Sequence, residues 1–117
     1  MSDLLNTTSL DELRSVLGDE FFELSRMFAQ QVESEVAGLS ECFAQGDVQR
    51  LRRLAHSLKG CCANMGVQEL SRQASIIEKA AMVNDTATIQ TLLPALAPLA
   101  TQSLNAMREA GYLASAN

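Results

Sequence analysis

The residues with the clearest chemical potential lie in one short segment, AHSLKGCCANMG (residues 55–66), which holds the single histidine of the chain, His56. An imidazole can act as a base, a metal ligand or a nucleophile. Lys59 follows three residues later, a spacing that puts its ammonium on the same side of a helix and suits an anionic group such as phosphate. Gly60, one turn beyond His56, has no side chain to block an approaching molecule. The spacing indicates an accessible imidazole beside a positive charge.

A helical wheel predicts that His56 faces solvent. At about 100° per residue, the apolar residues of this segment form a single stripe centred almost opposite the histidine. The stripe comprises Leu51, Leu54, Ala55, Leu58, Cys61, Cys62 and Met65. The face that His56 shares comprises Gln49, Arg52, Arg53, Lys59, Gly60 and Ala63. The wheel therefore favours an exposed imidazole over a core histidine.

Several chemistries do not fit this histidine. Cys61 and Cys62 point into the apolar stripe, which leaves no nucleophile for His56 to activate, and no carboxylate partner is recognisable beside it. The chain has no second histidine to complete a metal site, so no bound metal is expected. What remains is that His56 is itself the nucleophile and accepts a phosphoryl group on a ring nitrogen. Lys59 would then stabilise the phosphate, and Gly60 would make room for the donor.

The charge distribution predicts an anionic partner. Residues 48–68 contain four basic side chains and no Asp or Glu, so this segment has a charge of +4. Because the net charge of the chain is −5, the other residues together have a charge of −9. A basic patch around an exposed nucleophile indicates a partner that carries carboxylates or phosphates. We expect Arg52, Arg53, Gln49 and Ala63 to contact that partner. The acidic remainder argues against nucleic acid and anionic membranes as partners.

Composition predicts one all-α domain over residues 1–117, with a core bundle at about 8–112. Hydrophobic residues make up 47% of the chain, tryptophan is absent, and prolines occur at two positions. No apolar run approaches the ~20 residues of a membrane span, and the first residues lack the pattern of a signal peptide. Three cysteines form no even disulfide framework, which favours a reducing cytoplasm. The Met1 start and the full set of helices favour a free-standing protein.

Helix signals divide the chain into a short first helix and four longer ones. A capping box at Ser9–Glu12 predicts the start of the first helix, and an amphipathic segment follows from Gly18–Asp19 to Gln45. Further breaks are expected at Gly46–Asp47, Gly66 and Asn84–Asp85, and the last helix should run from Thr86 to about Gly111. Joints this short force antiparallel neighbours. The expected fold is an up-and-down antiparallel four-helix bundle with a short additional N-terminal helix, its last helix kinked or split by Pro94 and Pro98.

The long second helix provides both core residues and a candidate contact. Its apolar residues recur at three- and four-residue spacing, which predicts a buried stripe of Phe21, Leu24, Phe28, Val32, Val36, Leu39 and Phe43. Phe22, Met27 and Ala29 lie off this stripe and are expected to be partly exposed. Partner interfaces usually have an apolar centre, so Phe22 is a candidate partner-binding residue, with packing against the first helix as the alternative.

These residues resemble the histidine-phosphotransfer (HPt) family of two-component phosphorelays. His56-Ser57-Leu58-Lys59-Gly60, followed by Met65-Gly66, is similar to the family signature of His, small, aliphatic, Lys and Gly, then aliphatic-Gly at the helix end. Cys61 and Cys62 depart from the usual Ser or Ala, and the two prolines are unusual for the last helix. The resemblance extends over most of the chain and is weakest before Thr8 and after Pro94.

The resemblance implies that His56 accepts a phosphoryl group from an aspartyl phosphate on one receiver domain and passes it to another. It implies a monomeric phosphocarrier with no ATP-binding kinase domain, whose partners are response-regulator receivers and hybrid sensor kinases. No cofactor is expected on the chain, and the Mg²⁺ of such transfers belongs to the receiver.

Two other classes remain open from the sequence. A sensor-kinase dimerisation domain also carries a phosphorylatable histidine, but usually has an acidic residue directly after it, where this chain has Ser57. A non-catalytic helical adaptor would keep the fold and act by sequestering a signalling partner. The identities of the donor, the acceptor and the output do not follow from the sequence.

Overall fold

A computed structural model describes residues 4–114, and within that range five helices follow one another. They are α1 (Thr7–Leu17), α2 (Glu20–Ala44), α3 (Val48–Asn64), α4 (Gln68–Met82) and α5 (Thr86–Glu109). α3 packs against α2 and α4, and α5 packs against the same two helices from the other side of the bundle. The short α1 packs against α2. The fold is thus the predicted up-and-down four-helix bundle with a short extra helix. Residues 1–3 and 115–117 of the predicted domain lie outside the described range.

The first helix begins earlier than its sequence pattern predicts. The predicted capping box at Ser9 is wrong, because α1 starts at Thr7 and Asn6 is its cap, accepting a hydrogen bond from the backbone N–H of Ser9 at 3.1 Å. The reason is tertiary: the backbone N–H of Asn6 donates to the carbonyl of Gly66 at 2.6 Å. This bond holds the start of α1 against the turn between α3 and α4.

Most of the predicted α2 stripe lies in the core, with two corrections. Leu24 was expected to be buried and is 38% exposed, whereas Ala29 was expected to be partly exposed and is buried. α2 has 25 residues and α3 has 17, so the N-terminal part of α2 runs past the end of α3 and leaves the Leu24 edge uncovered. Phe21, Phe28, Val32 and Leu39 line the centre of the bundle as predicted.

The two prolines do not split the last helix. α5 is one helix from Thr86 to Glu109, and both Pro94 and Pro98 lie inside it with exposed side chains. Each proline lacks the N–H that would reach the carbonyl four residues earlier, at Gln90 and Pro94. Both of those residues are on the solvent side of the helix, where water can satisfy the freed carbonyls.

Candidate functional site

α3 presents His56 to solvent, as the wheel predicted. Asp47 caps this helix by accepting a hydrogen bond from the backbone N–H of Arg50 at 3.1 Å. The opposite side of the helix is fully buried at Leu51, Ala55, Leu58 and Cys62. Because the core fixes the rotation of α3, the His56 side chain is left 68% exposed.

A carboxylate on the neighbouring helix contacts both candidate residues of α3, His56 and Lys59. Glu78 of α4 places Oε2 at 2.6 Å from Nδ1 of His56 and Oε1 at 2.7 Å from Nζ of Lys59. Its own side chain is only 10% exposed. The Lys59 hydrogen bond, helped by the one from His56, holds the pKa of Glu78 below its usual range despite burial, which acts in the opposite direction. Glu78 is therefore an ionised, nearly buried acceptor.

This arrangement corrects two expectations drawn from the sequence. His56 does have a carboxylate partner, which sequence spacing could not place because it comes from another helix. The wheel placed Lys59 on the solvent face, but its side chain is only 33% exposed and is paired with Glu78. An accepting carboxylate at Nδ1 assigns the ring proton to that nitrogen. The lone pair then lies on Nε2, which makes Nε2 the nucleophilic atom.

The approach to the imidazole is open beside Gly60. Outside its own turn of helix, no heavy atom of residues 4–114 lies within 4 Å of the position that a Cβ on Gly60 would occupy. Ala63, one turn further along, is exposed and has only a methyl group. The prediction that small residues clear this face therefore agrees with the space the structure leaves there.

Two side-chain hydrogen bonds connect α3 to its two neighbouring helices just after the histidine. Ser57 donates its hydroxyl to Oε2 of Glu35 on α2, and Ser71 on α4 donates its hydroxyl to the carbonyl of Lys59 at 2.9 Å. Cys61, half-buried, directs its thiol to the carbonyl of Leu58 at 3.4 Å. These bonds tie α3 to both neighbours within one turn of His56.

The predicted partner-binding residues do not all lie together. Gln49, Arg52 and Arg53 are exposed on the turns of α3 that precede His56. Glu35, which contacts Ser57, marks the side of α2 that faces the histidine segment. Phe22 is 44% exposed, but it lies thirteen residues before Glu35, a distance of about 20 Å along α2. It also points about 140° away from Glu35 around the helix axis. It is thus on the far side of α2 from Ser57.

An apolar pair on α2 lies closer to the α3 side than Phe22 does. Leu24 is 38% exposed and within about 20° of the direction of Glu35, and Met27 is 54% exposed on the same flank. Their exposure follows from the unequal helix lengths, which the sequence pattern of α2 alone does not encode.

Neither a metal centre nor a membrane-spanning helix is found in the described part of the chain. Residues 4–114 contain no group of three or more His, Cys, Asp or Glu side chains that could hold an ion. No helix in this range is both long and apolar enough to cross a bilayer.

Known proteins resemble the chain in sequence and in fold. The family model described as Hpt domain matches residues 23–110. The phosphorelay protein LuxU of Vibrio harveyi is 29% identical over 84 residues, which cover 71% of this chain and 74% of LuxU. The crystal structure of histidine-containing phosphotransfer protein B from Pseudomonas aeruginosa PAO1 superposes with a TM-score of 0.88 at 25% identity, over 93% of this chain and 95% of that one.

Proposed function

The chain belongs to the Hpt domain family and acts in histidine phosphotransfer, and from that premise we propose that His56 is the residue that carries the phosphoryl group. The observation that supports this assignment is the contact between Nδ1 of His56 and Glu78, which leaves Nε2 free and exposed. It is the single histidine of the chain. The donors and acceptors of the group are aspartates of receiver domains.

Transfer begins with attack of Nε2 of His56 on the phosphorus of an aspartyl phosphate. The N–P bond forms as the bond between phosphorus and the aspartate oxygen breaks, and the aspartate leaves as a free carboxylate. The ring then carries positive charge, which Glu78 stabilises through Nδ1. Delivery to a second receiver is the same displacement in reverse, with an acceptor carboxylate attacking phosphorus and Nε2 as the leaving atom.

Lys59 and Gly60 assist this transfer in different ways. The ammonium of Lys59, which shares Glu78 with the histidine, neutralises charge on the phosphoryl oxygens as the group moves. Gly60 leaves space for the receiver loop that brings the phosphate. In this proposal the Mg²⁺ of the reaction is held by the receiver.

Receiver docking draws on the basic face of α3. Receiver active sites are rich in carboxylates, and Arg52 and Arg53 are exposed beside His56. Gln49 and Ala63 complete the proposed contacts, whereas Phe22, on the far side of α2, lies outside this face. We further propose a monomeric, cytoplasmic phosphocarrier that receives its phosphoryl group from hybrid sensor kinases and has no kinase activity of its own.

Labelling tests the assignment of His56 directly. Receiver domains phosphorylated with phosphoramidate are incubated with the wild type and with His56→Gln. The wild type is expected to acquire an acid-labile, base-stable phosphate, and the variant none. Labelled His56→Gln would contradict the assignment, and an unlabelled wild type that still binds receivers would favour the sequestering adaptor.

A further inference from the structure

The turn between α4 and α5 exposes two large apolar side chains. Met82 ends α4 with 62% of its surface exposed, and Val83 follows with 76% exposed. Exposed apolar side chains that adjoin one another mark contact surfaces more often than scattered single ones do. This pair is therefore a candidate for contact with another protein.

Backbone hydrogen bonds hold this turn in a fixed form. The N–H of Asp85 donates to the carbonyl of Ala80 at 2.8 Å and that of Asn84 to Ala81 at 3.1 Å, the two bonds of a Schellman motif. Asn84 takes the left-handed conformation, with φ of 59°. A rigid turn presents Met82 and Val83 at little entropic cost to a partner.

The two similar turns between the other long helices do not expose large apolar side chains. The turn between α2 and α3 has the same two bonds, from Asp47 to Cys42 and from Gly46 to Phe43, and the residue in the place of Val83 is the polar Gln45. In the turn between α3 and α4 the equivalent residue is apolar, but Met65 is buried. The exposed valine is thus not required by the turn geometry.

The pair lies next to the proposed phosphorylation site. Met82 is one helical turn, about 6 Å, beyond Glu78, and Arg52 is one turn before His56. Met82 and Arg52 line the same open depression of about 500 Å³. The other residues that line it are Val48, Gln49, Ala81 and Asn84. An apolar contact and a cation therefore adjoin within reach of a protein seated on His56.

Charge distinguishes this surface from the other exposed apolar pair. Leu24 and Met27 lie at the end of α2 that begins with exposed Asp19, Glu20 and Glu23. Arg26 pairs with Glu23, so Asp19 and Glu20 leave this end acidic and less suited to a carboxylate-rich receiver.

Two exposed cations lie close to Met82: Arg52 lines the same depression, and Lys79 lies three residues earlier on α4. Asp47, next to Val48 of the lining, has its carboxylate engaged as the cap of α3. The nearby Asp85 directs its carboxylate to Thr88 as the cap of α5.

We propose that Met82, Val83 and Arg52, together the turn patch, form a specificity contact for the receiver domain that exchanges phosphate with His56. The inference rests on the proposed function and adds where its partner binds. The matching receiver surface has an apolar side chain that enters the depression and a carboxylate that reaches Arg52. The turn patch contacts the partner and leaves the reacting atoms alone.

Single-turnover transfer from phosphoramidate-treated receiver domains tests the proposal on the full chain. The variant is Met82→Gln/Val83→Gln, in which the second change reproduces Gln45 of the α2–α3 turn. Val16→Gln, at an apolar residue 81% exposed on α1, is the matched control. We expect the half-saturating receiver concentration to rise about tenfold with an unchanged maximal rate. Adding Arg52→Ala should raise it by less than the product of the separate effects, because the two sites share one contact.

Several results would overturn the proposal. The first is a half-saturating receiver concentration that does not change in Met82→Gln/Val83→Gln, and the second is an equal change in Val16→Gln. The third is a lower maximal rate of the double variant at unchanged half-saturation, which would mean that the turn acts through Glu78. Loss of self-association in sedimentation, without an effect on transfer, would assign the patch to a second copy of the chain. A wild type that no receiver labels would refute the proposed function as well, which separates the two failures.

Discussion

Replacing Glu78 with glutamine tests how the site controls its histidine. The carboxylate accepts from Nδ1 of His56 with one oxygen and from Nζ of Lys59 with the other. An amide has one oxygen, so it cannot serve both. If that oxygen keeps the Lys59 ammonium, the NH₂ group faces Nδ1 and favours the tautomer whose proton is on Nε2. The nucleophilic lone pair would then be lost from most molecules.

The size of the effect follows from the bonds involved. Hydrogen bonds to charged groups contribute about 1.5–3 kcal/mol and neutral ones about 1 kcal/mol, while removal of a nearly buried charge offsets part of the loss. We expect Glu78→Gln to lower the free energy of unfolding by about 1–2 kcal/mol. Transfer should slow by about ten- to a hundredfold, since each 1.4 kcal/mol of tautomer preference is a factor of ten.

Three measurements separate a positioning role from a merely structural one. Nitrogen-15 NMR of the imidazole reports the tautomer, single-turnover labelling reports transfer, and urea unfolding reports stability. Glu35→Gln is the matched control, because Glu35 also accepts a side-chain hydrogen bond from α3, through Ser57. It should change stability without changing the tautomer. Wild-type transfer and an unchanged tautomer in Glu78→Gln would refute the reasoning.

Acid unfolding gives an independent check on the same carboxylate. The pKa of Glu78 is lowered in the folded state, chiefly by Lys59, so its ionised form stabilises the fold above the ordinary glutamate value of 4.5. That contribution is lost as the pH falls from this value through the folded-state pKa. The stability difference between wild type and Glu78→Gln should therefore shrink below about pH 4.5.

The remaining predictions concern other parts of the same bundle. Gly60→Gln should fold with equal or slightly greater stability, by urea unfolding, and transfer slowly, because the space beside His56 would be filled. Lys59→Ala should slow transfer even at saturating receiver, and it should cost about 1–3 kcal/mol in urea, because it leaves Glu78 nearly buried without its ammonium. Arg52→Ala should instead be rescued by saturation and lose salt dependence. Pro94→Ala should raise the unfolding free energy by about 1–3 kcal/mol, since it restores a bond inside an unbroken helix.

Sequence patterns predict the features that depend on one helix at a time. The rotation of α3 follows from the period of its own apolar residues, so the exposure of His56 and the burial of Leu58 and Cys62 could be predicted. The turns at Gly46, Gly66 and Asn84 follow from local chemistry, because each residue has a positive φ that glycine and asparagine tolerate. These are short-range properties.

Features that depend on a second helix were predicted less well. Leu24 follows the α2 period but lies where α3 has already ended, and the start of α1 is set by a bond from Asn6 to Gly66. The first outcome depends on where α3 ends beside α2, and the second on where the residues before α1 contact the α3–α4 turn. A helical wheel carries no information on those lengths.

Glu78 is a charged residue at a position of α4 where the neighbouring residues of the pattern are apolar. It lies four residues after Ala74 and one after Ile77, which are both buried, on the side of α4 that faces the core. A charged residue at such a position is rarely buried without a partner, so it implies cations on a neighbouring helix. α3 is joined to α4 by a three-residue turn and carries His56 and Lys59 on one face. A buried anion on α4 together with cations on the adjacent α3 would have predicted the contact between Glu78 and Nδ1 of His56.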